Sequence, residues 1–254
     1  LVRRPRMELF EQKNGVIIDL GYLQDKFLID AIDATNSIPF VVGYKIGALP
    51  VLEAGLKDTL RSIRKISSKP LLYDHQKLGS DLPDIYKGRM LDLIKSYGAD
   101  GVFLFPLGGK EVLEAIINKC IEIELIPVVC GDLSYKGFFA EEGGYIDIDV
   151  QQRIYLDAAS YGVSHFMMSC NRVDRIKIYC HQLGGIIGQL KLIFTGINSA
   201  DCNNLPDSCS QLKHNKAFAL FDGSYSNTDE YISALNTFWE GFKKKLEITS
   251  SGII

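Results

Sequence analysis

The sequence predicts a single (β/α)8 barrel, and three observations carry that prediction. Apolar runs of strand length alternate eight times with longer stretches of helical periodicity, as a parallel sheet demands, because each crossover between parallel strands needs a dozen or more residues. The 254 residues, 46% of them hydrophobic, suffice for the core of one barrel domain. The turn after the first strand, Asp19-Leu20-Gly21-Tyr22, lacks the G-x-G-x-x-G spelling that opens many doubly wound sheets, so closure into a barrel is the expected outcome.

The first strand is drawn at 16–20, where Val16, Ile17 and Ile18 precede Asp19. The second, 41–45, ends on Lys45 and leads to a helix over 49–66, and the third, 70–73, precedes a helix over 84–97. A fourth strand at 101–105 feeds a helix over 110–123, followed directly by a fifth strand at 126–130. The sixth, seventh and eighth are drawn at 165–168, 191–194 and 217–221, the last followed by a helix over 228–246. In the helices apolar residues recur at three and four, the spacing of one helical face. The connection 131–150 is too long for an ordinary barrel loop and carries Gly131, Gly137, Gly143 and Gly144; a long loop in a compact domain is commonly a lid, and a lid there would cover the C-terminal strand ends. No linker rich in Pro, Ser or Gly interrupts the chain, so residues 1–14 read as a tail and 15–248 as one barrel domain.

Several function classes are disfavoured. Net charge is −3 and the pI about 5.9, and apart from Lys243, Lys244 and Lys245, read as a solvated helix face, no basic cluster offers a footprint for nucleic acid. No apolar run reaches the roughly 18 residues of a membrane span, and the basic N-terminus has no apolar stretch behind it to make a secretory signal, so the cytoplasm is the expected compartment. The six cysteines form no C-x-x-C pair and meet no histidine at zinc-finger spacing, which leaves metal binding without support; Cys130, in an apolar strand, reads as a small hydrophobe. Nucleophilic hydrolysis lacks its G-x-S-x-G elbow.

Interior strand positions are packing, whereas strand ends are where a barrel does chemistry. The first three strands end in Asp19, in Lys45, and in Asp74 followed by Lys77 and Asp81, an alternating set of carboxylates and ammonium groups. Inside a protein such charges are tolerated only when paired. The plainer account is an ion-pair network that closes the barrel mouth; joint occurrence on three successive strand ends favours a reactive site. His75 and His165 keep the plainer account, as hydrogen-bonded structural residues.

The segment Asp74-His75-Gln76-Lys77-Leu78-Gly79-Ser80-Asp81-Leu82-Pro83 resembles the D-x-K-x-x-D-I-P segment of the orotidine 5'-monophosphate decarboxylase family. Tyr44-Lys45-Ile46-Gly47 is similar to that family's lysine strand, Ile17-Ile18-Asp19-Leu20 to its first strand, and Phe105-Pro106-Leu107-Gly108-Gly109 to the turn after its fourth. Gly131-Asp132-Leu133-Ser134-Tyr135-Lys136-Gly137 resembles its serine-bearing base-recognition loop, so that the resemblance spans roughly residues 15 to 197. The spacing is one residue longer at each step: Asp74 and Lys77 stand three apart, Lys77 and Asp81 four. Residues three apart on a regular strand face opposite sides, so Lys77 joins Asp74 only if the chain leaves strand geometry by His75, which Gly79 permits. A divergent branch of the family carries a D-H-Q-K spelling similar to this one.

The resemblance implies a lyase of pyrimidine biosynthesis that decarboxylates orotidine 5'-monophosphate to UMP with no metal, flavin or pyridoxal cofactor. Losing carbon dioxide from a pyrimidine carboxylate leaves a carbanion-like centre with no electron sink, so preorganised charge and a waiting proton donor must supply the catalysis. On this reading Lys77 is the donor, Asp74 lies near the departing carboxylate, and Lys45 with Asp74 keeps Lys77 charged and oriented. Asp19 and Asp81 contact the ribose hydroxyls, Asp81 from the neighbouring subunit of a homodimer, and Ser134 contacts the base.

The phosphate end departs from the family. Barrels commonly grip a substrate phosphate with the loops after strands seven and eight. Where the family has a glutamine and an arginine, this chain has Thr195-Gly196-Ile197-Asn198-Ser199-Ala200-Asp201 and Phe221-Asp222-Gly223-Ser224-Tyr225. Backbone N–H groups of Gly196, Gly223 and Ser224, with the hydroxyls of Ser199 and Ser224, remain to form an anion nest, against the opposing charges of Asp201 and Asp222. Two alternatives therefore stand beside the decarboxylase. One is a sugar-phosphate lyase or decarboxylase of the same superfamily, which would need a metal-binding acid where Ile46 and Gly47 stand; the other is a non-catalytic relative that binds a nucleotide or a protein partner.

Overall fold

Eight parallel strands pair in chain order and close on themselves, β1 pairing with both β2 and β8. The structure, a computed structural model, describes residues 8–23, 25–75, 78–197, 202, 215–222 and 227–251. The strands are β1 (Asn14–Asp19), β2 (Val41–Ile46), β3 (Leu71–Asp74), β4 (Gly101–Leu104), β5 (Ile126–Cys130), β6 (His165–Ser169), β7 (Lys191–Thr195) and β8 (Lys216–Phe221). The helices are α1 (Asp25–Thr35), α2 (Ala48–Ala54), α3 (Leu56–Arg64), α4 (Pro83–Lys87), α5 (Met90–Ser96), α6 (Lys110–Glu122), α7 (Ile148–Ser160), α8 (Val173–Ile187) and α9 (Thr228–Ser251). The predicted barrel is the observed one, and its strands agree to within a residue or two at the ends. Among the described residues, no helix is long and apolar enough to cross a membrane.

Two expected helices are interrupted. The stretch 49–66 divides into α2 and α3 at Gly55, whose φ of +81° no helix accommodates, and 84–97 divides into α4 and α5 at Gly88, which is extended. Apolar residues recur across both glycines, but burial is uneven: α2 buries Pro50 while Leu52 is exposed and α3 buries Leu60 and Ile63, and α4 buries Tyr86 while Ile85 is exposed and α5 buries Leu91 and Ile94. Periodicity reports the spacing of apolar residues and is blind to a backbone break between them.

Alternation along each strand sorts the core into two layers. Outward residues such as Ile18, Tyr44, Tyr73, Phe166 and Phe194 pack beneath the helices, and inward residues such as Ile17, Val42, Leu72, Phe103, Val128 and Phe218 fill the barrel. One strand breaks the alternation. Val16 pairs with Val41 but Ile17 pairs with Gly43, so β2 carries a bulge there. A Cβ at Gly43 would meet the Pro70 carbonyl oxygen at 2.8 Å, which reserves the position for glycine.

The N-terminal end of the barrel is plugged. Leu9 and Phe10 are buried ahead of β1, with the Phe10 ring 4.3 Å from that of Phe218. Lys216 donates to the Phe10 carbonyl at 2.6 Å, and Glu8 bridges Lys216 at 2.8 Å and Lys191 at 3.6 Å. With that end filled, the opening lies at the C-terminal ends of the strands.

Candidate active site

Inward alternation places Asp19, Lys45 and Asp74 on adjacent strands at the C-terminal mouth. The Lys45 Nζ lies 2.8 Å from Asp19 Oδ2 and 2.9 Å from Asp74 Oδ2, and all three side chains are almost wholly withdrawn from solvent. Burial by itself would push the ammonium down, but Asp19 and Asp74 outweigh it and hold Lys45 above the ordinary lysine range. The other Asp19 oxygen accepts from the Gly21 N–H at 2.8 Å. That turn needs its glycine, since a Cβ on Gly21 would sit 3.1 Å from the Gly47 Cα and one on Gly47 only 2.8 Å from the Gly21 Cα. The turns after β1 and β2 thus meet backbone to backbone, and the contact holds the two charged strand ends together.

After Asp74 the chain turns at once. Leu78 N–H donates to the His75 carbonyl at 2.7 Å, Phe105 N–H to the Leu78 carbonyl at 2.7 Å, and Gly108 N–H to the Gly79 carbonyl at 2.7 Å. Gly79 adopts a φ of +111°, and a Cβ there would lie 2.6 Å from Phe105 backbone, so the segment is laid across the end of β4 at a point only glycine fits. The buried Tyr86 hydroxyl accepts from the N–H groups of Gly79, at 2.9 Å, and Asp81, at 3.0 Å. His75 Nδ1 lies 3.0 Å from the Tyr73 hydroxyl. Lys77 lies outside the described residues.

Five of the predicted site residues, Asp19, Lys45, Asp74, Ser134 and Gly196, line one cavity of about 380 Å³ at the mouth. Asp81 does not join them: within one chain it faces a separate surface recess with Ser80, Pro83 and Glu111. Gly223 and Ser224 lie outside the described residues, as do Ala200 and Asp201. Asp222 is described and lines the mouth cavity, where desolvation and then the neighbouring Asp19 raise its carboxyl above the ordinary aspartate range. A second, apolar recess of about 150 Å³ adjoins the cavity at Asp74, Leu133 and Met167, and is walled by Phe103, Phe105, Phe138 and Cys130.

The loop after β5 is built around Ser134. Its hydroxyl donates to Thr195 Oγ1 at 3.3 Å, its carbonyl accepts from Asn171 Nδ2 at 2.5 Å, and a Cβ at Gly196 would touch its Cβ at 3.0 Å. Arg172 is the hub of the loop. Its guanidinium donates to the Leu133 carbonyl at 2.9 Å, the Tyr135 carbonyl at 3.3 Å, Asp132 Oδ2 at 3.3 Å and Glu142 at 2.8 Å, and lies 4.7 Å over the Phe139 ring. Asp132 Oδ1 has no hydrogen-bond partner among the described residues; burial, only partly countered by Arg172, pushes the carboxyl up to about 6. Sequence reasoning missed Asn171, Arg172 and Asp132 as site residues. The first two stand one and two residues past Cys170 on the connection after β6, and only their reach across to the β5 loop gives them a role. Tyr22 and Tyr135, both largely exposed, stand at the rim of the same cavity.

Chemically, the mouth offers an anion-paired ammonium, an apolar compartment beside Asp74, and a hydroxyl with an ordered loop opposite. No protein-family model matches the chain, and no curated protein sequence matches it. Its fold matches solved structures. Orotidine 5'-monophosphate decarboxylase from Methanocaldococcus jannaschii complexed with the inhibitor BMP superposes with a TM-score of 0.68 at 16% identity, over 88% of this chain and 99% of that one. A second structure of that decarboxylase gives 0.65 at 16% identity, over 91% and 97%. An uncharacterized conserved protein from Geobacillus kaustophilus gives 0.61 at 15% identity, over 88% and 99%. The chain therefore shares the fold of these three structures at 15–16% sequence identity.

Proposed function

We propose that this chain decarboxylates orotidine 5'-monophosphate to UMP without a cofactor. The observation that carries the reading is the Lys45 ammonium held between Asp19 and Asp74, at 2.8 and 2.9 Å, on three successive strand ends of this barrel. In the proposed step the bond from C6 of the pyrimidine to its carboxylate breaks, carbon dioxide departs, and the electron pair left on C6 takes a proton from the Lys77 ammonium. Fixed charges aimed at a centre that becomes negative only in the transition state lower the barrier without reorganising at the moment of reaction. The recess beside Asp74, lined by phenylalanines, suits a neutral, apolar product better than the carboxylate it comes from. Ser134 contacts the base and Asp19 the ribose. Asp81, remote from the mouth of its own chain, reaches the site of a second copy in a homodimer; exposed Leu82 and Ile85 beside it supply apolar surface for that contact.

Asp222 favours a second reading. A carboxylate lining the mouth where a phosphate dianion would bind opposes it, and a non-catalytic relative binding an uncharged nucleoside or a protein partner would carry no such conflict. The deciding assay follows the fall in pyrimidine absorbance when the protein meets orotidine 5'-monophosphate in EDTA, with orotidine in parallel. Turnover of the phosphorylated compound, lost in Lys77→Ala with the fold retained by circular dichroism, supports the enzyme. Absence of turnover on both compounds removes the decarboxylase reading.

A further inference from the structure

Phe138 joins three other rings into one aromatic cluster between the end of β4 and the mouth. Its ring stands 5.7 Å from that of Phe105 at 74°, 4.9 Å from Phe139 at 72° and 6.5 Å from Tyr135 at 72°. Edge-to-face meetings at such spacings are favourable for aromatic rings. Phe105, Phe138 and Phe139 are buried, whereas Tyr135 is 57% exposed.

Tyr135 is thus the outermost ring, and it lines the mouth cavity beside Ser134. Among the described residues its phenol has no hydrogen-bond partner and its ring no aromatic neighbour besides Phe138. The backbone beneath it is fixed. Its carbonyl accepts from Arg172 at 3.3 Å, and the same guanidinium bonds the Leu133 carbonyl and Glu142. A tyrosine on an anchored loop offers a large flat surface and has only two side-chain torsions to lose on binding. The ligand that continues such a cluster is itself planar and aromatic.

We propose that Tyr135 is a positioning residue whose ring stacks on the face of a pyrimidine base held at the mouth. The inference rests on the mouth being a nucleotide site and needs none of the chemistry proposed there. It makes the ring a determinant of specificity, since a sugar phosphate without a base gains nothing from it.

The test titrates the full chain by calorimetry with UMP, uridine and ribose 5-phosphate, and follows ¹³C-labelled tyrosine rings by NMR. Tyr135→Phe assigns Tyr135 among the twelve tyrosines. UMP or uridine should bind saturably and move the Tyr135 ring signal upfield, as stacking on another ring does, while ribose 5-phosphate leaves it in place. Tyr135→Leu should weaken the binding by roughly five- to 150-fold, the range of base stacking on an aromatic side chain, and Tyr135→Phe should restore it to within about twofold because the ring suffices. Tyr145→Leu, fully exposed on the same loop and outside the cavity lining, should bind as the wild type does. Binding with these properties but no turnover of orotidine 5'-monophosphate would retire the decarboxylation and support the stacking. No saturable binding of either UMP or uridine, an unmoved Tyr135 signal, full affinity in Tyr135→Leu, or loss of affinity in Tyr135→Phe or Tyr145→Leu equal to that in Tyr135→Leu would overturn the proposal.

Discussion

Replacing Lys45 by Met keeps most of the apolar stem and removes the charge that Asp19 and Asp74 share. At 2.8 and 2.9 Å, Coulomb attraction at an effective dielectric of 20 is about 6 kcal/mol for each pair, most of it offset by the cost of desolvating three ions. What remains is the penalty of stranding two buried carboxylates, roughly 3–5 kcal/mol when a buried ion loses its partner. That penalty depends on pH in a defined direction. Both stranded oxygens lay within reach of one nitrogen, hence within about 6 Å of each other, and buried like charges at such a distance raise carboxyl pKa values above the unfolded value near 4. A group whose folded pKa is raised contributes stability below its unfolded pKa and loses it as pH rises through the folded one. Lys45→Met should therefore fall short of the wild type by roughly 3–5 kcal/mol at pH 7.5 and recover about 1.4 kcal/mol for each unit of carboxyl shift as pH falls toward 4. Urea unfolding of both proteins across that range measures the gap. A gap under about 1 kcal/mol at pH 7.5, or one that does not narrow in acid, would refute a buried, charge-paired Lys45.

Gly47→Ala places a Cβ 2.8 Å from the Gly21 Cα and should cost about 1–3 kcal/mol in urea unfolding, with turnover at the mouth reduced as the Gly21 support of Asp19 shifts. Asp132, raised to about 6 by burial, costs the wild type roughly 3 kcal/mol as pH rises from 4 to 7. Asp132→Asn removes that dependence, and the difference between their unfolding free energies should open across the interval; a flat difference would contradict it. Arg172→Ala cuts the ties to Leu133, Tyr135 and Glu142, so amide hydrogen exchange over 133–142 should quicken at least tenfold while β1 and β2 exchange as before.

The barrel was legible because alternation and helical periodicity are local and repeat eight times. Asp19, Lys45 and Asp74 were legible for the same reason: each is the last inward residue of its strand. The hub at Arg172 was not, because its partners Asp132, Leu133, Tyr135 and Glu142 lie thirty or more residues away and two of the four are backbone carbonyls, which leave no trace in side-chain identity. The broken helices were missed at Gly55 and Gly88, where apolar spacing continues across the break. Gly21 and Gly47 look like ordinary turn glycines, and only their mutual approach reveals why nothing larger stands there.

The bulge at Gly43 has a consequence for the chemistry at the mouth. Val42 and Lys45 both face inward although they are three residues apart, which an unbroken strand forbids. The extra residue resets the phase, so that the first half of β2 is aligned for filling the barrel and the second half for delivering an ammonium. If β2 kept Gly43 but ran unbulged, Lys45 would turn into the helix layer and the Tyr44 phenol, now bonded at 3.1 Å to Thr35 beneath α1, into the mouth; deleting Gly43 removes the bulge and leaves Val42, Tyr44 and Lys45 inward, outward and inward as before. The polarity of this opening is thus set by the bulge as much as by the residues of the strand, and a change that straightened β2 without shortening it would reverse which side chain the strand presents to the mouth.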